Sequence, residues 1–291
     1  MNSDTFFTGC RAHKVCQDYS RASNLIPNRS YAIISDGCSS SPDTDIGARL
    51  LTLEAARAIA RPEHFFPEGL IAGAAAQLSP PLVPECLDAT LLIAQETSTG
   101  VVVDIAGDGF VIARTRMVPN QEVPGCSHLI AYEFDFGGAP AYLSYLTSPN
   151  RCETYLKEGY GKRTIKAWSL WQDRKPSLFS LHHDNPFTGE ADYSSEHLRG
   201  MGPFHTFTFP KEKYDLVVLC TDGAGAFQEK ETQKPVPFDK ILWHLTSFPS
   251  FTGEFVTRRV RKFLTKECIE LGWVQNDDLA VGAIYMGGNA L

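Results

Sequence analysis

DLVVLCTDG (215–223) is the stretch from which the rest of the chain can be read. Its apolar run has the composition of a strand buried on both faces, and it closes in an Asp-Gly turn, so Asp222 is delivered to one end of a sheet. The plan recurs. YAIISDG (31–37) delivers Asp36, VVVDIAGDG (101–109) delivers Asp108, and NDDLAVGAIY (276–285) sets Asp277 at the head of a strand. Asp36, Asp108 and Asp222 are each followed by glycine, which tolerates positive φ and lets the backbone approach a ligand closely. Carboxylates converging at strand ends repel one another unless a cation sits between them, and hard oxygen donors suit Mg²⁺ or Mn²⁺ rather than zinc. The pattern predicts a metal-dependent hydrolase.

Outward from these ends, residues 29–35 read as a buried strand. A helix follows over about 45–61, with Ile46, Leu50, Leu53 and Ile59 as its apolar stripe, and a second over 65–79 is stopped by Pro80-Pro81. ATLLIAQ, GVVVDIA and FVIARTR read as successive strands, and HTFTF and DLVVLC as a pair joined by the turn PKEK. An amphipathic helix is expected over 253–271, with Phe255, Val256, Val260, Phe263, Leu264, Cys268 and Leu271 inward and Arg258, Arg259, Arg261, Lys262 and Lys266 mostly on the other face. Strands that meander after paired helices do not follow βαβ alternation. Between about 117 and 210, where Trp168, Trp171, His182 and His183 fall, the periodicity weakens, and short strands with an inserted flap are expected inside a single domain spanning 1–291.

The 43% hydrophobic and 21% charged composition is that of a globular chain, and the net charge of −7 argues against a nucleic-acid or anionic-membrane surface. MNSDTFFTGCRAHK (1–14) has no signal-peptide apolar run, and no stretch approaches the ~20 apolar residues of a membrane span, which predicts a soluble cytoplasmic protein. The eight cysteines form no C-x-x-C pair and read as reduced thiols, Cys86 and Cys220 as small core residues.

In order, the marked segments are GCRAHKVCQD (9–18), SDGCSSSPDTDIGAR (35–49), DATLL (88–92), AGDGF (106–110), CTDGA (220–224) and NDDLAV (276–281). Together they resemble the metal-dependent serine/threonine phosphatases of the protein phosphatase 2C type, in particular the compact bacterial branch. The resemblance implies an α+β fold, a four-layer α-β-β-α sandwich of two mostly antiparallel sheets flanked by helices. It also implies two Mn²⁺ or Mg²⁺ ions at one end. Asp36 would bridge both, the Gly37 carbonyl would bind one, and Asp222 and Asp277 would complete the other. Asp18 would support the centre through water, Asp108 would serve a third, weaker metal, and Thr90 would shape the site. Such a pair, ~3.5–4 Å apart, activates a bridging water for in-line attack and neutralises charge on the phosphoryl oxygens.

The implied activity is hydrolysis of phosphoserine and phosphothreonine on proteins, the substrates of a Ser/Thr kinase, by a monomeric enzyme. Two alternatives stay open: a non-catalytic phosphoprotein-binding relative, and a small-molecule phosphomonoesterase of the same fold. The phosphate-cradling C-x₅-R signature is absent. The chain departs from the better-known pattern at three places. Cys38 stands where some members carry histidine, and the second acidic residue often found after T-D-G is missing. His13 replaces an arginine that binds substrate phosphate, so His13 is expected to donate to that phosphate and to join Asp36, Asp222 and Asp277 as a catalytic residue. Asp278, often asparagine in the family, is expected to matter little.

Overall fold

The structure, a computed structural model, describes residues 1–25, 29–61, 67–116, 128–135, 140–158, 162–171, 177–180, 191–192 and 204–287. His182 and His183, and the side chain of Trp171, lie outside what is described. The elements run β1 (Asn2–Thr8), β2 (Asp18–Ser23), β3 (Tyr31–Asp36), α1 (Thr44–Ala60), α2 (Pro67–Ala75), β4 (Leu91–Glu96), β5 (Gly100–Ala106), β6 (Gly109–Thr115) and β7 (His128–Asp135). They continue with α3 (Pro149–Lys157), β8 (Lys162–Trp171), β9 (Ser177–Ser180), β10 (Ala191–Asp192), β11 (His205–Pro210), β12 (Tyr214–Cys220) and β13 (Phe227–Glu229). The last are α4 (Phe238–Thr246), α5 (Phe255–Lys262), α6 (Cys268–Leu271), β14 (Trp273–Gln275) and β15 (Leu279–Tyr285).

The larger sheet has the order β1-β15-β12-β6-β7-β8-β10, with β9 on β8; the smaller has the order β11-β5-β4-β3-β2. Their central pairings are antiparallel. Between the sheets, Ile34, Leu92 and Val103 of the smaller meet Val111, Val217 and Ile284 of the larger. On the far side of the smaller sheet, Ile33, Leu91 and Ile93 pack under Leu51, Ala55 and Ile59 of α1 and Ile71 of α2. On the far side of the larger, Ile112, Val218 and Val281 pack under Ile241 and Leu245 of α4 and Val256 and Val260 of α5. Neighbours such as Ile33 and Ile34 thus serve different layers. Both faces of both sheets are covered, which is why the strands read as unbroken apolar runs. This is the α-β-β-α sandwich that the resemblance implied. No described helix is long and apolar enough to cross a membrane.

Four local expectations need correction. β11 and β12 do not pair: β11 lies against β5 in the smaller sheet and β12 between β15 and β6 in the larger, so PKEK steps from one sheet to the other. On α1, the buried face is Gly47, Ala48, Leu51, Thr52, Ala55 and Ile59, while Leu50 and Leu53 are only half-buried. The small residues win because the helix lies against Cys86: a Cβ on Gly47 would come within 1.7 Å of the Cys86 carbonyl oxygen. The 253–271 helix is interrupted by a π-helical turn at Phe263–Glu267. Cys268, beyond the wide turn, still faces the core, while Leu271, the last residue before the helix ends at Gly272, is exposed. Arg259, placed outside by sequence, is only 6% exposed, because Glu267 on the next turns neutralises it. Finally, β1 and β2 are real strands that their mixed polar composition concealed.

Candidate metal centre

The acidic side chains are brought together by pairing, not by proximity in sequence. Asp18 opens β2 and sits directly opposite Asp36, the last residue of β3. Asp222 follows β12 after Thr221, and Asp277 lies just before β15, the neighbour of β12. Asp108 occupies the two-glycine turn between β5 and β6, where Gly107 and Gly109 adopt φ of 91° and 129°, values that favour glycine. The T-D-G and N-D-D-L segments interlock: a Cβ on Gly223 would fall 1.7 Å from the Asp278 carbonyl oxygen, so this approach requires glycine.

Asp36 makes side-chain hydrogen-bond contact with both Asp18 and Asp222. Such contacts between carboxyls need a shared proton or a cation. Burial pushes the Asp18 carboxyl up to about 7, even though Thr221 donates to its Oδ2 at 2.7 Å. Burial and then the charges of Asp18 and Asp222 drive Asp36 well above the carboxylate range. Asp108 is raised to about 7 by burial and by Asp222. Asp222 meets solvent at the mouth of the cluster, yet the protein packed around it raises its carboxyl as well. Asp277, with a side chain 39% exposed, is raised by desolvation and by Asp222. Asp18 Oδ1 is buried and has no hydrogen-bond partner.

An orphaned buried carboxylate oxygen beside carboxyls held mostly above their usual range is the arrangement that hard divalent cations relieve, and the donors are all oxygens. The residues fit such ions. Thr90 supports the floor of the site: its N–H donates to the Asp36 carbonyl at 2.8 Å, and its Oγ1 accepts from the Asp36 N–H at 3.2 Å. Gly37 bridges to Ala89 and donates its N–H to the Gln17 carbonyl at 3.2 Å.

His13 reaches the rim from the loop between β1 and β2. Its Nδ1 lies 3.1 Å from Asp278 Oδ2 and 3.6 Å from Asp277 Oδ1. The hydrogen bond to Asp278 is the first cause of its raised pKa. Asp278 is the residue that the sequence undervalued. Its side chain is 2% exposed and accepts from Cys10 N–H at 2.7 Å and Gln17 N–H at 2.8 Å, besides His13. Burial alone would raise its pKa; these hydrogen bonds overcome it and leave the carboxyl below its ordinary value. Two adjacent aspartates thus divide the work. Asp277 faces the cluster, while Asp278 fastens the 9–18 loop beside it. Thr221 was missed too: its Oγ1 donates to Asp18 and accepts the Ala280 N–H at 2.9 Å.

Next to the Asp36 turn opens a cavity of about 490 Å³ lined by Cys38, Ser41, Tyr142, Tyr145 and Arg151. Arg151 enters from α3 and is held by Asp88 at 2.7 Å, with Ser41 donating to the same carboxylate at 2.8 Å.

The two stacked antiparallel sheets with helices outside and the carboxylate cluster at their ends define the class as an α-β-β-α sandwich with an acidic centre at one end. The sequence model of the family described as Protein phosphatase 2C matches residues 10–265, and the chain belongs to that family, which is generally metal-dependent. Among solved structures, a bacterial serine phosphatase superposes with a TM-score of 0.50 at 12% identity, over 100% of both chains. The serine/threonine phosphatase Stp1 of Staphylococcus aureus matches with a TM-score of 0.47 at 11% identity, over 99% of this chain and 96% of its own. No curated protein matches the sequence.

Proposed function

We propose that the chain is a Mn²⁺- or Mg²⁺-dependent phosphatase acting on phosphoserine and phosphothreonine in proteins. One observation carries the reading. Asp18, Asp36, Asp108, Asp222 and Asp277, from separate parts of the chain, have raised pKa values in a single cluster, with Asp18 Oδ1 unpartnered inside it. Asp36, Asp222, Asp277 and the Gly37 carbonyl would hold two cations, with Asp18 behind them and Asp108 serving a third. When bound, such ions supply Lewis-acid activation of water and charge neutralisation on the phosphoryl group.

The protein's own contributions follow from the geometry. Thr90 and the β2–β3 pairing fix Asp36, and Thr221 fixes Asp18, so the carboxylates are positioned before substrate arrives. Asp278 holds the Nδ1 edge of His13 and leaves Nε2 to donate to a substrate phosphate dianion. The neighbouring cavity, with Arg151 and its tyrosines, is large enough to take side chains flanking the phosphoresidue. The whole chain works as one domain.

The test is turnover of p-nitrophenyl phosphate and of a phosphothreonine peptide with Mn²⁺, then with EDTA. Turnover that EDTA abolishes is expected, and no turnover with any of several divalent metals would overturn the reading. His13→Ala should raise KM about three- to tenfold, the loss of one charge-assisted hydrogen bond, without changing Mn²⁺ affinity.

A further inference from the structure

A second kind of donor set stands at the rim of the carboxylate cluster. The ligand atoms of Cys10, His13 and Asp277 all lie within 4.8 Å of one another. Two of them come from the short motif Cys10-Arg11-Ala12-His13, and the third from the loop before β15. His13 Nδ1 and Asp277 Oδ1 are 3.6 Å apart. Two tetrahedral zinc ligands at the usual bond lengths stand about 3.4 Å apart, so the existing spacing needs little adjustment. The Cys10 sulfur accepts the Ala12 N–H at 3.3 Å, which orients it; burial and Asp278 hold the thiol above its ordinary value, so it is the metal that must displace the proton. The Cys10 N–H is anchored on Asp278, which holds the turn carrying both motif residues.

We propose that Cys10, His13 and Asp277 form a binding site for a thiophilic divalent cation, Zn²⁺ being the natural occupant, distinct in chemistry from the all-oxygen cluster beside it. Sulfur, imidazole nitrogen and one carboxylate oxygen select zinc over Mg²⁺ or Mn²⁺. Binding converts the Cys10 thiol to thiolate, its proton passing to solvent; the His13 ring gives up its Nδ1 hydrogen bond to Asp278, keeps its one proton on Nε2, and offers the Nδ1 lone pair to the metal. The fourth position is open to water. Occupancy withdraws Asp277 from the carboxylate cluster and His13 from the substrate, so zinc at this rim is inhibitory. That consequence rests on the proposed phosphatase function; the binding itself does not.

Cobalt(II) is the probe, because a thiolate ligand gives a sulfur-to-cobalt charge-transfer absorption that oxygen ligands cannot. The full chain, stripped with EDTA and freed of chelator, is titrated with Co²⁺. The charge-transfer band should saturate at one equivalent, vanish in Cys10→Ser and persist in Cys16→Ser. Zn²⁺ affinity, read by competition with a chromophoric chelator, should fall at least about tenfold in Cys10→Ser. The Cys10 side chain is half-exposed, and an unchanged metal-free melting temperature of Cys10→Ser checks the fold. Absence of the band in the wild type, its survival in Cys10→Ser, or its loss in Cys16→Ser overturns the site. In Mn²⁺-driven turnover, Cys10→Ser should keep the basal rate and move the Zn²⁺ inhibition midpoint at least about tenfold higher. An equal midpoint in the two proteins overturns the inhibitory role. A protein without turnover that still shows the Cys10-dependent band refutes the phosphatase reading and leaves the zinc site standing.

Discussion

Two clusters of charged side chains lie on different parts of the sandwich, and their carboxyls respond in opposite directions. At the sheet ends, Asp18, Asp36, Asp108 and Asp222 are raised by burial and by one another. In the outer helical layer, Glu267 is lowered to about 2, first by its hydrogen bond to Arg259 and then by His244. There the opposite charges are matched: His244 Nδ1 lies 2.7 Å from Glu267, Arg259 grips both oxygens, and Lys262 stands 3.4 Å away. Phe263 stacks on the His244 ring with centroids 4.9 Å apart. The comparison separates two uses of a carboxylate. The helical network stabilises the chain by itself, whereas burial and like charges leave the sheet-end cluster electrostatically unsatisfied, the arrangement that the proposed cations would relieve.

The largest effect should come from Asp36→Asn. Turnover should fall by about a hundred- to a thousandfold or more, because the most central carboxylate is lost. The same change should raise the metal-free melting temperature at pH 8, since it removes like-charge repulsion. A lower melting temperature in EDTA would break the contrast. Arg259→Leu tests the other side. It leaves the half-buried Glu267 without its principal cation and should cost about 3 kcal/mol in urea unfolding.

Asp278→Asn should cost about 1–3 kcal/mol, because both carboxylate oxygens face N–H donors and an amide NH₂ must oppose one of them. Hydrogen exchange should quicken in residues 10–17 while Mn²⁺ affinity changes little. Retained protection there would show that the loop does not depend on this anchor.

The smallest effect is a pH dependence of opposite sign in the two regions. Asp18 and Asp108 have folded values near 7 against 3.8 for the free group. Their contribution is therefore full below about pH 4 and is lost as pH rises through 7. Metal-free protein should melt a few degrees lower at pH 8 than at pH 5, and Mn²⁺ should raise the melting temperature more at pH 8. Glu267, lowered to about 2 from 4.5, contributes above pH 4.5 and loses that contribution as pH falls toward 2. Glu267→Gln should accordingly flatten only the acid limb.

Asp36, Asp108, Asp222 and Asp277 were legible in the sequence because each follows or precedes an apolar strand run, and an Asp-Gly turn, ordinary when alone, recurs at three of these ends; Asp18, at the head of the mixed-polarity β2, was reached only through the family resemblance. The layers followed from the resemblance, and the apolar strand runs and paired helices agreed with it. What escaped was whatever depends on partners far along the chain. Nothing local in HTFTF and DLVVLC says that they join different sheets. Asp277 and Asp278 were told apart by the resemblance alone, and the anchoring role of Asp278 shows only once the 9–18 loop is folded against it. Arg259 looks like a surface residue until Glu267 is brought beneath it. The strands β1 and β2 are mixed in polarity, because their burial comes from neighbours and not from their own composition.

The wide turn at Phe263–Glu267 has a genetic consequence. Phe263 and Cys268 both point inward although five positions separate them, where an ordinary helix would use four. Thr265 and Lys266 in that turn are exposed. Loss of one codon there would restore an even α-helix with Phe263 and the cysteine still facing the core, and with the glutamate seven positions beyond Arg259 instead of eight, two full turns on the same face. A frame-preserving deletion, ordinarily ruinous inside a helix, has at this point of the chain a place where it can be absorbed.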